Sequence, residues 1–206
     1  LGQILSIRGA VVPVSHQSST LCAEFVDASQ VQGETVVDGA IRNGKEIQNL
    51  FLEPRVSAAP AALAAIGRTD SFVIGPGSFY TSILPNFLPE GIAQAIRESS
   101  APIIFICNLL TEGLGMRGQT VQVIIAQLEQ YLGRRLATVI VNTALPDQNI
   151  ITAYANEHKY PLIYSDEFGR RDPRIVTAAL WTDPTIARHD STRLAAIIGH
   201  CVNAKK

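Results

Sequence analysis

The segment Gly75-Pro76-Gly77-Ser78, followed by hydroxyls at Tyr80, Thr81 and Ser82 and by Asn86, is the part of this sequence best suited to holding a ligand. An apolar run from Ser71 to Ile74 leads into it, and a helical pattern starts near Pro89. A buried strand that ends in a glycine and hydroxyl turn is where open α/β sheets take ligands, outside the carboxyl ends of their strands. Backbone N–H groups at 75–78 can approach an anion because glycine carries no side chain to block them. The same residues also suit a tight β-turn with Pro76 at its second position. The pattern is neither GxGxxG nor the GxxxxGKS phosphate loop, so the glycines alone leave both readings open. Thr81, Ser82 and Asn86 favour the ligand reading, being small polar groups crowded into apolar surroundings.

Two further strand ends match it. The run IIFICN at 103–108 ends at Asn108 with Thr111 close behind, and ATVIVN at 137–142 ends at Asn142-Thr143. In a parallel sheet these ends lie on one edge, and their convergence is a stronger signal than any single motif. Arg188-His189-Asp190 stands just ahead of the last helical pattern. Asp190 or Ser191 suits a helix cap there, and Arg188 can present a planar fork to a phosphate or carboxylate. Nothing resembles an acyl-transfer triad, because Ser78 lacks the GxSxG setting and His16, His158 and His200 have no telling spacing. Asp27, Glu34, Asp38 and Glu53 form no metal-ligand pattern, so no metal and no catalytic group are assigned.

The elements that must position these residues show two textures. Residues 1–55 read as β-rich, with strands expected at 11–15, 21–26, 31–37 and 47–54, and with Gly33 marking a bulge or break. From 56 to 206 strand and helix alternate. Helices are expected at 60–67, 89–99, 120–132, 146–158 and 191–202, and strands at 71–74, 103–108, 137–142, 161–165 and 175–181. Apolar strands separated by helices imply a mostly parallel sheet flanked by helices. The fold expected is therefore α/β, in one domain spanning 1–206.

The 206 residues are 47% hydrophobic and 17% charged with a net charge of -1, which suits a sheet buried on both faces, whereas disorder needs the opposite composition. Near-neutral charge with scattered Arg134-Arg135, Arg170-Arg171 and Lys205-Lys206 speaks against a nucleic-acid partner. No apolar run approaches the ~20 residues of a membrane helix, and no signal peptide is visible. Cys22, Cys107 and Cys201 are far apart and odd in number, which suits buried thiols of a cytoplasmic protein.

Several of these segments together resemble the YvcK/CofD-like family, and its YvcK branch of gluconeogenesis factors most closely. The carrying motifs are VVPVS, LCAEF and VQGE, FLEP at 51–54, GPGSFYTSILPNFL at 75–88, GIAQAI at 91–96, ICNLLT at 106–111, VNT at 141–143 and RHD at 188–190. The resemblance implies a Rossmann-like fold that binds a nucleotide-containing ligand, in this branch a UDP-sugar such as UDP-N-acetylglucosamine. The role implied is regulation linking carbon metabolism to cell-wall synthesis and cell shape in bacteria. Carried over, Gly75, Gly77, Ser78, Thr81, Ser82 and Asn86 would line the ligand cleft. Asn108 and Thr111 would join them from the next strand, and Arg188 would contact the diphosphate or sugar. The family's opening strand, its GGGTG loop and its Asp-Asp-Gly-Gly-Ser-Ser segment have no counterpart, so the chain is expected to match roughly the C-terminal two-thirds of a family member. The loop after ICNLLT reads Glu112-Gly113-Leu114-Gly115-Met116-Arg117-Gly118 where the family has QPGETxG. Two other roles stay open: a CofD-like transferase of a phospholactyl-type group from a nucleotide diphosphate donor, and a fragment that binds nothing or serves as an interaction surface. Exposed sheet edges in such a chain would favour a homo-oligomer.

Overall fold

The computed structural model of the chain describes residues 9–162, 164 and 172–203. Its N-terminal portion is a small antiparallel sheet. The strand β1 (Thr20–Phe25) pairs with β2 (Gln30–Gln32) on one side and β3 (Ile47–Glu53) on the other. Between β2 and β3 runs the helix α1 (Glu34–Arg42). The strand expected over 31–37 therefore stops at Gln32. Gly33, at φ 97°, turns the chain, and the residues after it form the helix. Val37 and Ile41, four apart, are both buried, a spacing that puts them on one face of a helix. The strand expected at 11–15 does not form either. Pro13 has no N–H to give a ladder, Val11 is exposed, and the Val14 carbonyl accepts from Ala59 N–H at 2.8 Å.

After α2 (Pro60–Ile66) the alternation expected from the sequence appears. It runs β4 (Phe72–Ile74), α3 (Ile92–Glu98), β5 (Ile103–Ile106), α4 (Val121–Leu132), β6 (Thr138–Asn142), α5 (Gln148–Asn156), β7 (Ile175–Ala178) and α6 (Ser191–Asn203). The four strands lie in the order β4-β5-β6-β7, every neighbouring pair parallel. Part of the strand expected at 161–165 falls outside the described residues, as do Arg170-Arg171 and Lys205-Lys206. Its described start does not enter the sheet. Pro161 bridges antiparallel to Leu110, and Leu162 N–H donates to the Leu109 carbonyl at 3.0 Å, bracing the loop after β5.

The two central strands of the parallel sheet, β5 and β6, are buried on both faces. Ile103, Phe105, Val139 and Val141 pack with the buried face of α4, made by Val121, Ile124, Ile125, Leu128 and Leu132. The intervening Ile104, Ile106 and Ile140 pack with Leu194, Ile197, Ile198 and Cys201 of α6. This is the period of two that a doubly covered strand must show. The first cluster also takes in Leu21, Ala23, Phe25 and Leu50 of the antiparallel sheet, and Val37 and Ile41 of α1, so the two sheets share one core. All three cysteines are buried. Among the described residues no helix is long and apolar enough to cross a membrane.

Candidate ligand-binding site

Parallel strands in register bring Ile74, Ile106 and Asn142 to the same edge, and the loops that follow them build the site. Gly75 leaves β4 at φ 78°, and a Cβ there would stand 2.9 Å from the Ile106 carbonyl, so only glycine fits. A cis peptide joins it to Pro76. The chain then winds through a π-helical turn, Phe79–Ile83, which the sequence did not signal. Phe79 and Tyr80 are buried, and the Tyr80 hydroxyl donates to Gln127 Oε1 on α4 at 3.1 Å, which fixes the turn to the core.

The β4 and β5 loops are knitted together by side chains. Gly77 N–H donates to Asn108 Oδ1 at 3.3 Å, and Asn108 Nδ2 returns a bond of 2.7 Å to the Gly77 carbonyl. Glu112 completes the junction. Its Oε2 accepts from the Ser78 hydroxyl at 2.9 Å and from Phe79 N–H at 3.1 Å, and its Oε1 accepts from Asn108 Nδ2 at 3.2 Å. Thr81 Oγ1 donates to Ser78 Oγ at 2.7 Å, extending the chain of hydroxyls. Burial pushes the Glu112 carboxyl above its ordinary range, while the bonds from Ser78 and Phe79 pull it back. The loop that carries Glu112 rests on α1 and the turn after it: a Cβ on Gly113 (φ 79°) would lie 2.5 Å from the Arg42 Cα, and one on Gly115 would lie 2.2 Å from the Lys45 carbonyl oxygen.

These loops and the segment leading into α6 enclose a cleft of about 540 Å³, lined among others by Gly77, Asn108, Glu112, Lys159, Arg188 and His189. Three anchors hold that segment. Ala187 N–H donates to the Tyr154 hydroxyl at 2.8 Å, Asp190 N–H donates to the Leu180 carbonyl at 2.7 Å, and Asp190 Oδ1 caps α6 by accepting from Arg193 N–H at 2.9 Å. His189 Nε2 lies 3.2 Å from the Cys107 carbonyl oxygen. A carbonyl can only accept, so Nε2 carries the proton and Nδ1 is the acceptor of the neutral ring. Arg188 is exposed and makes no salt bridge among the described residues.

The residues singled out in the sequence divide between this cleft and a neighbour. Gly77, Asn108, Thr111 and Arg188 line the cleft. Gly75, Ser82 and Asn86, with Gly77 again, line a second cavity of about 380 Å³ beside β4, whose other walls are apolar. Ser78 and Thr81 stand behind Glu112. The Asn86 amide donates to the Ser82 carbonyl at 2.6 Å. Thr111 is buried, with its hydroxyl accepting from Tyr160 N–H at 2.9 Å. Asn142 is a clamp: its Oδ1 accepts from the N–H groups of Ala144, Leu180 and Trp181 at 3.1, 2.9 and 3.0 Å.

A family model described as 2-phospho-L-lactate transferase CofD matches residues 1–181. The chain belongs to the CofD family. Among curated members it is 33% identical over 210 residues to a putative gluconeogenesis factor of Thermotoga maritima, an alignment covering 96% of this chain and 64% of that protein. It is 34% identical over 168 residues to the gluconeogenesis factor of Halalkalibacterium halodurans, covering 81% of this chain and 51% of the relative. A crystal structure of a UPF0052 family member from Bacillus halodurans superposes with a TM-score of 0.86 at 30% identity, covering 96% of this chain and 64% of that one. The chain thus spans less than two thirds of the length of these CofD-family relatives. The model match ends ahead of Arg188 and His189.

Glu112 is the site residue that sequence reasoning passed over. Its signal was present, an acidic residue four positions beyond the strand-end Asn108 in a glycine-rich loop, but spacing gave no reason to set it against Ser78. His189 enters the sequence reading only within the run Arg188-His189-Asp190, which suits either a helix cap or a binding role. Among the described residues no group of three or more His, Cys, Asp or Glu side chains could hold a metal ion.

Proposed function

We propose that this chain is the ligand-binding portion of a bacterial regulator that takes a UDP-sugar such as UDP-N-acetylglucosamine and links carbon metabolism to cell-wall synthesis and cell shape in the cytoplasm. The observation that carries the reading is Arg188, an exposed guanidinium without an ion-pair partner among the described residues, on a cleft that also gathers the β4 and β5 loop ends. Its volume, about 540 Å³, lies within the few-hundred-to-thousand range of small-molecule sites. Arg188 would grip the diphosphate through its planar fork. Lys159, whose Nζ pairs with Glu157 at 2.6 Å, would add a second positive charge. Asn108 and His189 Nδ1 would orient hydroxyls or the base. The names of the curated relatives support the family of this reading.

Calorimetric titration of the chain with UDP-N-acetylglucosamine, UDP-glucose and GDP tests it. Selective binding of the UDP-sugars, with a dissociation constant on the order of micromolar, is the expected result. A charge-assisted arginine contact contributes roughly 1.5–3 kcal/mol, so Arg188→Ala should weaken binding by about ten- to a hundredfold. No heat with any of the three, from a chain shown to be folded, would reject the reading, and unchanged affinity in the variant would remove Arg188 from the site. The transferase reading has the family model's description and the Glu112 carboxylate in its favour. Magnesium-dependent release of GMP from a nucleotide diphosphate in which a phospholactyl group is joined to GMP, with that group passing to an acceptor hydroxyl, would select it instead.

A further inference from the structure

Three donors of the turn after β4 are already spoken for. Pro76 has none, Gly77 N–H goes to Asn108, and the Ser78 hydroxyl and Phe79 N–H both go to one oxygen of Glu112. The cleft therefore presents a carboxylate at the place where the glycine and hydroxyl turn would otherwise meet an anion. Glu112 lines the same cleft as Lys159, Arg188 and His189 yet forms a salt bridge with neither cation. The charges that act on it through space come from α1, where Asp38 and Arg42 oppose each other. An acid and a guanidinium that share a cleft without pairing leave room between them for a ligand whose own charge is lopsided.

We propose that Glu112 is a specificity determinant of the cleft: its carboxylate denies the Gly77–Phe79 turn to a phosphoryl group, turns the ligand's phosphates toward Arg188 and Lys159, and reserves its own side for a neutral, hydroxyl-bearing group. The inference rests on the nucleotide-sugar reading and narrows it. The chemistry it selects is a nucleoside diphosphate whose terminal phosphate is esterified to a polyol or sugar. A free terminal phosphate, carrying an additional negative charge, meets Glu112 head-on. A sugar hydroxyl instead donates to the carboxylate lone pair that Ser78, Phe79 and Asn108 leave open.

The experiment compares the wild-type chain with Glu112→Gln and Glu112→Ala at about pH 7.5, roughly three units above an ordinary glutamate, which leaves room for the rise that burial gives Glu112. Each is titrated with inorganic pyrophosphate, whose ends are both unesterified, and with UDP-N-acetylglucosamine, while the Phe79 amide is followed by NMR. Glu112→Gln keeps an oxygen for Ser78 and Phe79 and removes the charge, at the cost of the bond that Oε1 accepts from Asn108 Nδ2, so it remains informative should Glu112→Ala unfold. Pyrophosphate affinity is expected to rise about tenfold or more in Glu112→Gln and to shift the Phe79 resonance, with UDP-N-acetylglucosamine affinity falling by a factor of about three or more as its hydroxyl acceptor is neutralised. Equal pyrophosphate affinity in wild type and Glu112→Gln, or no response at Phe79, overturns the proposal. If pyrophosphate behaves as expected and no form binds the UDP-sugar, the exclusion stands, but the nucleotide-sugar reading and the narrowing built on it fall.

Discussion

His189 illustrates how a single side chain carries two kinds of information. The ring is partly buried and donates to the Cys107 carbonyl, and desolvation holds its pKa below the ordinary value while that bond opposes the shift. A histidine whose pKa is lowered by folding contributes stability in its neutral form. That contribution is fully present above the unfolded value of about 6.5 and is lost as pH falls through the lower folded value. Two-dimensional NMR of the histidine side chains should therefore find His189 titrating below pH ~6.5 in the free chain, and its thermal stability should decline over the same window. An anion bound beside Arg188 should raise that pKa, because it favours the charged ring. A titration at or above the ordinary value in the free chain would show that the ring is more open to water than its bond to Cys107 implies. Cys107 itself is deeply buried and its thiol is pushed up to about 12, so no nucleophilic role attaches to it.

At the scale of elements, the central parallel strands and their helices were legible because a doubly covered strand must be apolar along its length, as IIFI and the VIV of TVIVN are. The polar residues that end them were legible for the same reason, as interruptions of an apolar run. What the three ends do was not. Asn108 reaches the cleft, whereas Asn142 spends its amide on Ala144, Leu180 and Trp181, and nothing in the chain near either residue distinguishes the two. α1 was hidden by β-branched Val36 and Val37, which suit a strand until tertiary packing claims Val37 and Ile41 on one helical face. That helix matters to the site because the Glu112 loop lies against it backbone to backbone at Gly113. Gly113→Ala sets a Cβ against the Arg42 backbone at a positive φ, where neither can yield cheaply. The substitution is expected to cost roughly 1–3 kcal/mol and to loosen the Ser78–Glu112 bond at a distance. Urea unfolding measures the first effect and hydrogen exchange at Phe79 the second. Wild-type stability in Gly113→Ala would show that the loop can move off α1.

Across the whole molecule, the antiparallel and parallel sheets have no strand in common, yet one apolar cluster runs through both. Phe25 from β1, Ile41 from α1, Phe79 from the π-helical turn and Phe105 from β5 all belong to it, so the core that closes the first sheet also seats the loop that builds the cleft. Hydrophobic burial of this kind is shared, and removing it at one end withdraws support from the other. Phe25→Ala takes a fully buried ring out of the cluster and is expected to destabilise the chain by about 3–5 kcal/mol. If the core is truly common, unfolding remains one transition, and amide protection falls together at Leu21–Phe25 and at Val139–Val141, far apart in sequence. Two separated transitions, or protection lost at β1 alone, would mean that the antiparallel sheet rides on the parallel one as an independent unit. In that case the Glu112 loop, which leans on α1, would lose its support before the cleft's cations lost theirs, and ligand binding would weaken ahead of global unfolding.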